Sequence, residues 1–267
     1  MVTTALVQFS GGVGSFFALL RAAERYGWEN VVALFADVRM EDEDLYRFVW
    51  QVAEDLADGG GRLEVVCDGR TPWDVFFDER FLGNSLVDPC SRVLKRELMR
   101  AWIEANYPDP DDVVIVLGFD WTERHRFERA APRWAPYRVE APLCDPPFVE
   151  KGNLLRELKK RGYEVPRLYK VGGFSHNNCG GFCVKAGHKS MKRLLEVFPD
   201  RYAAHEAREQ EIREYLDADV AILRHRSGPL DGSPLTMKTF REAIEADEHR
   251  APALFDPTDA GACACVD

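Results

Sequence analysis

Ala5-Leu6-Val7-Gln8-Phe9 runs directly into Ser10-Gly11-Gly12-Val13-Gly14-Ser15, and then into Phe16-Phe17-Ala18-Leu19-Leu20-Arg21-Ala22-Ala23. The first five residues read as a short buried strand. The glycines and serines turn the chain, and the apolar-rich run from Phe16 continues as a helix. A helix that opens straight after a Gly-rich turn presents free backbone N–H groups and the positive end of its dipole at one place. Glycine lets the backbone approach a phosphate closely, and the hydroxyls of Ser10 and Ser15 add donors. The stretch therefore predicts a nucleotide-phosphate site over Ser10, Gly11, Gly12, Val13, Gly14 and Ser15. The alternative is a tight strand-to-helix connection that binds nothing. Neither a Gly-Lys-Ser/Thr ending nor a GxGxxG spacing is present, so the turn is of neither of those kinds.

With 267 residues, 46% of them hydrophobic, the chain can build one large domain or a domain with an appendage. It contains no run of about 18 apolar residues, so no membrane span is expected. The start of the chain shows no basic region or cleavage signature, and a cytoplasmic location is the expectation. A net charge of -10 argues against a broad non-specific nucleic-acid surface, though a local basic groove is compatible with it. The seven cysteines are odd in number and unevenly spaced, which fits metal binding or thiol chemistry better than a disulfide framework.

Going outward from the first strand, Val31–Ala36 reads as a second strand ending at Asp37, and a helix follows through Phe48, Trp50 and Val52. Leu63–Val66, Val113–Leu117 and Arg138–Leu143 read as strands three to five. Strands alternating with helices at this spacing predict parallel βα units, whose ligands sit beyond the strands' carboxyl ends. Asp37 lies at such an end, where it would meet a ribose, an adenine or a metal, or cap the next helix. The acidic run Glu41–Asp44 reads as a solvated helix start favoured by the dipole. A lone Cys67 reads as a small buried hydrophobe. Gly118, Asp120, Glu123 and Arg126 follow the fourth strand and are candidates for the nucleotide's neighbourhood. An ordinary charged loop is the alternative there.

Asp88-Pro89-Cys90 reads as an N-cap, a first-turn proline and a thiol in the first helical turn, where the dipole and Arg92, Lys95 and Arg96 favour a thiolate. From Lys151 the chain becomes basic and then Gly- and Cys-rich. His176-Asn177-Asn178-Cys179-Gly180-Gly181-Phe182-Cys183 places two thiols four positions apart, with glycines that let both turn inward on one metal or cluster and His176 as a further ligand. Cys263 and Cys265 close the sequence on a small-residue tail, as further ligands or a redox pair. Lys189–Phe198, Ala203–Leu216 and Leu235–Glu245 read as helices. The division expected is a nucleotide-binding domain over 1–150 and a mainly helical, cysteine-containing region over 151–267.

SGGVGS resembles the PP-loop, Ser-Gly-Gly-x-Asp-Ser, of the adenine nucleotide alpha-hydrolase superfamily. Together with LFADVRMEDEDLYRF, PCSRVLKREL, LGFDWTERHR, HNNCGGFCVKAG and the Cys-x-Cys tail, it resembles the phosphoadenosine-phosphosulfate-reductase-like subgroup from Ala5 to the end. The departure is Gly14, where ATP-cleaving members usually carry Asp, so the match speaks for adenine-nucleotide binding more than for ATP cleavage. The fold this resemblance implies is a Rossmann-like parallel α/β sheet of about five strands flanked by helices, of the PP-loop (HUP) type. The activity it implies is attack of an acceptor oxygen on the alpha phosphorus of ATP with Mg²⁺, release of pyrophosphate, and displacement of the adenylated oxygen by sulfur.

Some thiolating relatives hold a [4Fe-4S] cluster by three cysteines, and Cys90, Cys179 and Cys183 look like such a set. Cys263 and Cys265 would complete or guard it, and a structural zinc takes the same thiolates. Cys90, Asp120, Cys263 and Cys265 are the candidate catalytic groups. The acceptor would be a tRNA or DNA base or a small molecule. Two other readings stand beside this one. A sulfonucleotide reductase would attack bound sulfate with Cys263 or Cys265, although the usual Glu-Cys-Gly-Leu-His tail is absent. A nucleotide-binding partner protein would turn nothing over.

Overall fold

A computed structural model describes residues 3–171 and 173–247. Five parallel strands, β1 (Thr4–Gln8), β2 (Val31–Asp37), β3 (Arg62–Cys67), β4 (Val113–Val116) and β5 (Arg138–Glu140), form one sheet in the order β3-β2-β1-β4-β5. This is the parallel sheet of βα units that the strand–helix alternation predicts, and it has the Rossmann-like α/β form, flanked by helices, that the resemblance implies. Its central strands are buried on both faces, and side chains alternate between two cores. Ala5, Val7, Val31, Ala33, Phe35, Val114 and Val116 face one side. Leu6, Val32, Leu34, Ala36, Val113 and Ile115 face the other. Strand five is shorter than the sequence implies: Pro142 has no N–H for a ladder, and Pro142–Cys144 coils into a 3₁₀ turn instead.

Helix α1 (Val13–Tyr26) and α2 (Glu43–Asp58) cover the first face; α2 buries Leu45, Phe48, Val49, Val52 and Leu56 at helical spacing. Helix α3 (Pro72–Asp78) opens on a capping box, Thr71 against Asp74. A continuous helical segment follows: α4 (Pro89–Ser91), a wide π-helical stretch (Arg92–Glu97) and α5 (Leu98–Asn106), which packs on the second face through Met99 and Ile103. Helix α6 (Arg124–Ala130) comes after β4, and α7 (Lys151–Lys160) lays Leu154 and Leu158 into the first-face core.

The rest of the chain adds α8 (Arg167–Lys170), α9 (His188–Val197), α10 (Pro199–Leu216), a two-stranded antiparallel ribbon of β6 (Leu223–Arg224) and β7 (Pro234–Leu235), and α11 (Met237–Asp247). A third core joins these to α3, through Trp73 and Phe76 against Phe182, Tyr202, Ile212 and Phe240. Inside it Trp73 donates its indole N–H to His205 Nδ1 at 3.0 Å, and the His205 ring stacks on Phe182. The Glu209 carboxylate accepts from the amides of Ile222 and Met237, satisfying backbone groups that β6 and α11 leave over. Among the described residues no helix is long and apolar enough to cross a membrane.

Candidate functional site

The order β3-β2-β1-β4-β5 reverses between β1 and β4, and the connections that follow those two strands diverge there. A cavity of about 540 Å³ opens at this point. Ser10, Gly12, Val13, Gly14 and Ser15 form one wall, and Gly118, Phe119, Asp120, Trp121, Glu123 and Arg126 another. Glu150, Lys151, Tyr169 and the segment Ser175–Asn178 close it from the later part of the chain. A volume of this size is that of a ligand pocket.

The loop is built by its own hydrogen bonds. Ser15 Oγ donates to the Gly12 carbonyl at 2.9 Å and lies 3.2 Å from both the Ser10 amide and the Ser10 hydroxyl. Gly11 has φ +71°, in the left-handed region, and a Cβ there would meet Leu45 Cγ at 2.8 Å. Val13 N donates to the Tyr169 hydroxyl at 3.2 Å, which ties the start of α1 to α8. At Gly14 the constraint is space: a Cβ would stand 2.9 Å from the Gly118 carbonyl oxygen, and one on Gly118 would stand 2.8 Å from Ser15 Cα. The two backbones touch, so a side chain at position 14 has no room without a shift of the β4 end.

The opposite wall carries charge. Asp120 accepts from Thr122 N at 2.8 Å and Thr122 Oγ1 at 2.6 Å, which shapes the turn after β4. Arg126 is buried, ion-paired with Glu123 and placed 4.9 Å over the Phe119 ring. Buried Cys144 donates from Sγ toward the Asp120 carbonyl at 3.2 Å, and burial pushes its thiol up to about 11. Lys151 donates to the Ser175 carbonyl and lies over the Tyr169 ring.

Asp37 is elsewhere. It ends β2 and accepts from Arg39 N at 2.8 Å and from Tyr46 OH at 2.7 Å, without lining the cavity. Burial, with Asp37 beside it, drives the Tyr46 phenol upward. The acidic run departs from the solvated helix start expected of it: Asp42 is fully buried. It caps α2 through Asp44 N at 3.0 Å and binds Arg167 at 2.8 Å and Arg201 at 3.1 Å. Burial pushes its carboxyl up, but Arg167, the Asp44 amide and Arg201 together outweigh that and hold it below the usual carboxylate range. Cys67 is exposed, not buried, because β3 is an edge strand.

Cys90, Cys179 and Cys183 line one small cavity together with Val38, Asp88 and Lys95. Cys179 at φ 52°, Gly180 at 58° and Gly181 at 87° are three consecutive left-handed residues, a turn that only a Gly-rich segment makes cheaply. Arg201 donates to the Gly180 carbonyl and Glu41 accepts from Cys179 N, so the turn is held from outside. Glu41 and Lys95 form a buried pair at 3.6 Å. A third, small cavity lies between the other two: Gln8 and Ser10 line it and the large one, and Lys95 lines it and the thiol cavity. Cys263 and Cys265 lie outside the described residues.

The thiol cavity encloses about 20 Å³, room for roughly one water. Among the described residues no group of three or more His, Cys, Asp or Glu is arranged to hold a metal ion. A four-iron cluster does not fit between these three thiols as they stand. His176 lines the large cavity and not the thiol cavity.

Sequence reasoning missed Gln8, Glu150, Lys151, Tyr169 and Asn177 as cavity residues. Gln8 carried a signal, as the one polar residue in the apolar run Ala5–Phe9. The others come from segments whose approach to the loop is set by tertiary packing.

No family model matches the chain, and no curated protein matches it. Among solved structures it is similar to the NH3-dependent NAD synthetase from Campylobacter jejuni subsp. jejuni NCTC 11168, determined in complex with the nitrate ion. The identity is 12% and the TM-score 0.37, covering 95% of this chain and 89% of that one.

Proposed function

We propose that the large cavity binds an adenine nucleotide with its phosphates on Ser10–Ser15, and that the protein is an ATP-using enzyme of the PP-loop type. The observation that carries this is the cavity itself, built on a strand–Gly loop–helix start at the sheet's switch point. Amides at the front of α1 and the hydroxyl of Ser10 meet the phosphate oxygens, while Ser15 Oγ holds the loop through the Gly12 carbonyl, and Lys151 and Arg126 add positive charge to the walls. Mg²⁺ takes one or two carboxylates plus phosphate oxygens; of the three carboxylates in the cavity wall Glu123 is paired with Arg126, so Asp120 and Glu150 would serve, and the ion would neutralise phosphate charge.

In the reaction class this supports, an acceptor oxygen forms a bond to the alpha phosphorus while the bond to the bridging oxygen breaks, and pyrophosphate leaves with that electron pair. Charge gathers on the phosphorus oxygens, where preorganised amide donors act most strongly. Displacement of AMP by a sulfur nucleophile is the finer reading, supported by the thiols of Cys90, Cys179 and Cys183 beyond the small cavity at Gln8.

Pyrophosphate release from Mg·ATP, measured with candidate acceptor bases present, tests the assignment. Release above the protein-free rate, abolished in Ser15→Ala, is expected; ATP binding with no release under any acceptor would sink the enzymatic reading. A second reading draws on Gly14: its contact with Gly118 leaves no room for the carboxylate of ATP-cleaving loops, which favours a nucleotide that arrives already activated as a sulfonucleotide. Sulfite release from an adenosine phosphosulfate with a thiol reductant tests that alternative.

A further inference from the structure

The large cavity holds two buried carboxamides that phosphate recognition does not use. Gln8 is 5% exposed and Asn177 is 1% exposed. Both Gln8 Nε2 and Gln8 Oε1 are enclosed without a hydrogen-bond partner, and so is Asn177 Oδ1. Asn177 Nδ2 donates to the Gly11 carbonyl at 3.1 Å, which fixes the amide's orientation: the reverse would set two acceptor oxygens against each other. Both side chains line the cavity that Ser10–Ser15 begins.

A buried polar atom left unpaired is costly, and folded proteins rarely leave one so. Leucine or methionine at position 8 would continue the apolar row of Leu6 at no such cost. Three enclosed, unpartnered atoms on two side chains that line one cavity are better explained by a ligand than by packing. Phosphate is the wrong ligand for them, because Gln8 Oε1 and Asn177 Oδ1 are acceptors and repel its oxygens. The two oxygens need N–H or O–H donors, and Gln8 Nε2 needs a lone pair. A planar edge with an N–H next to a lone-pair acceptor is a nucleobase edge, and carboxamides read such edges bidentately.

We propose that Gln8 and Asn177 form a base-reading subsite, beside the phosphate loop, that recognises an uncharged nucleobase edge by donor–acceptor pairing. This rests on the nucleotide reading of the cavity and adds the group that sets its specificity. The base has two sources, the nucleotide's own adenine or the acceptor, and both present this chemistry.

Gln8→Met keeps length and apolar volume while removing both hydrogen-bonding atoms. Calorimetric binding of ATP, of tripolyphosphate, and of uridine to the tripolyphosphate-saturated protein would be compared in wild type and variant. Wild type is expected to bind ATP more tightly than tripolyphosphate. If the base is the nucleotide's own, the variant loses about tenfold or more for ATP and nothing for tripolyphosphate. If it is the acceptor's, ATP affinity holds and uridine affinity falls by the same factor. Ligand-free variant should melt no lower than wild type, since two unpaired groups have been removed. Unchanged ATP and uridine affinities would overturn the subsite while leaving the phosphate site standing. A lower melting temperature for the ligand-free variant would show Gln8 to be a structural group and overturn it as well. Failure of wild type to bind either ATP or tripolyphosphate would remove the nucleotide reading and this inference with it.

Discussion

Gly14→Ala tests how tightly the phosphate loop is built. Gly14 is the second residue of α1, where helix propensity alone favours alanine by up to about 1 kcal/mol. The structure predicts the opposite sign. The new Cβ would lie 2.9 Å from the Gly118 carbonyl oxygen, about 0.5 Å inside the 3.4 Å at which ordinary contact begins. The obstacle is backbone at the end of β4, not the tip of a flexible side chain, so the loop carrying Gly118–Glu123 must move. Overpacking of this kind costs typically about 1–3 kcal/mol. For a chain of this size that lowers the melting temperature by roughly 2–4 °C per kcal/mol. On the proposed nucleotide reading, the same shift displaces the wall that would face the phosphates, so ATP affinity falls with stability. Gly152 is the control: it is exposed near the start of α7, a Cβ added there would meet nothing within 4 Å, and Gly152→Ala should stabilise slightly. Thermal melts and calorimetric titration with ATP on both variants read the outcome. A Gly14→Ala protein that melts at or above wild type and binds ATP equally would refute the close-contact argument.

Asp42→Ala removes the carboxylate that joins α2 to Arg167 and Arg201. Breaking a buried pair from one side costs about 3–5 kcal/mol, and partial exposure of both arginines lowers the expectation to about 2–3 kcal/mol, read as a drop in the urea midpoint. His205 gives a pH dependence. Burial first, then Arg201, holds it well below its ordinary value, at about 3, so the folded state keeps it neutral while the unfolded chain takes up a proton below about 6.5. Its contribution is therefore full above that pH and is lost, at up to about 1.4 kcal/mol per unit, as pH falls toward 3. His205→Gln should flatten that part of the stability profile; an unchanged slope would show that other groups set it.

How much of this could be read in advance depended on whether a feature is local. Ala5–Ser15 announces a strand, a turn and a helix start by its own residue types, and β1, α1 and the loop lie where that reading puts them. Asp88-Pro89 likewise opens a helix at Pro89. Glu41–Asp44 misled because its local chemistry suits an exposed N-terminus, whereas Arg167 and Arg201, more than 100 residues away in the chain, bury Asp42. Position in the sheet, invisible to a strand pattern, exposes Cys67 on an edge strand. The thiols of Cys90, Cys179 and Cys183 do meet around one cavity, yet spacing could not say how small it is. Gln8 was within reach, since a lone amide in a buried strand needs a reason; Lys151, Tyr169 and Asn177 were not, because only the fold brings them to the loop.

The central claim is that amides at the front of α1 hold a nucleotide's phosphates. A crystal structure of the protein with a non-hydrolysable ATP analogue tests it most directly. The account predicts phosphate oxygens at hydrogen-bond distance from the backbone between Gly12 and Ser15 and from the Ser10 hydroxyl. An analogue bound with its phosphates away from that loop, or absent at millimolar concentration, would contradict it.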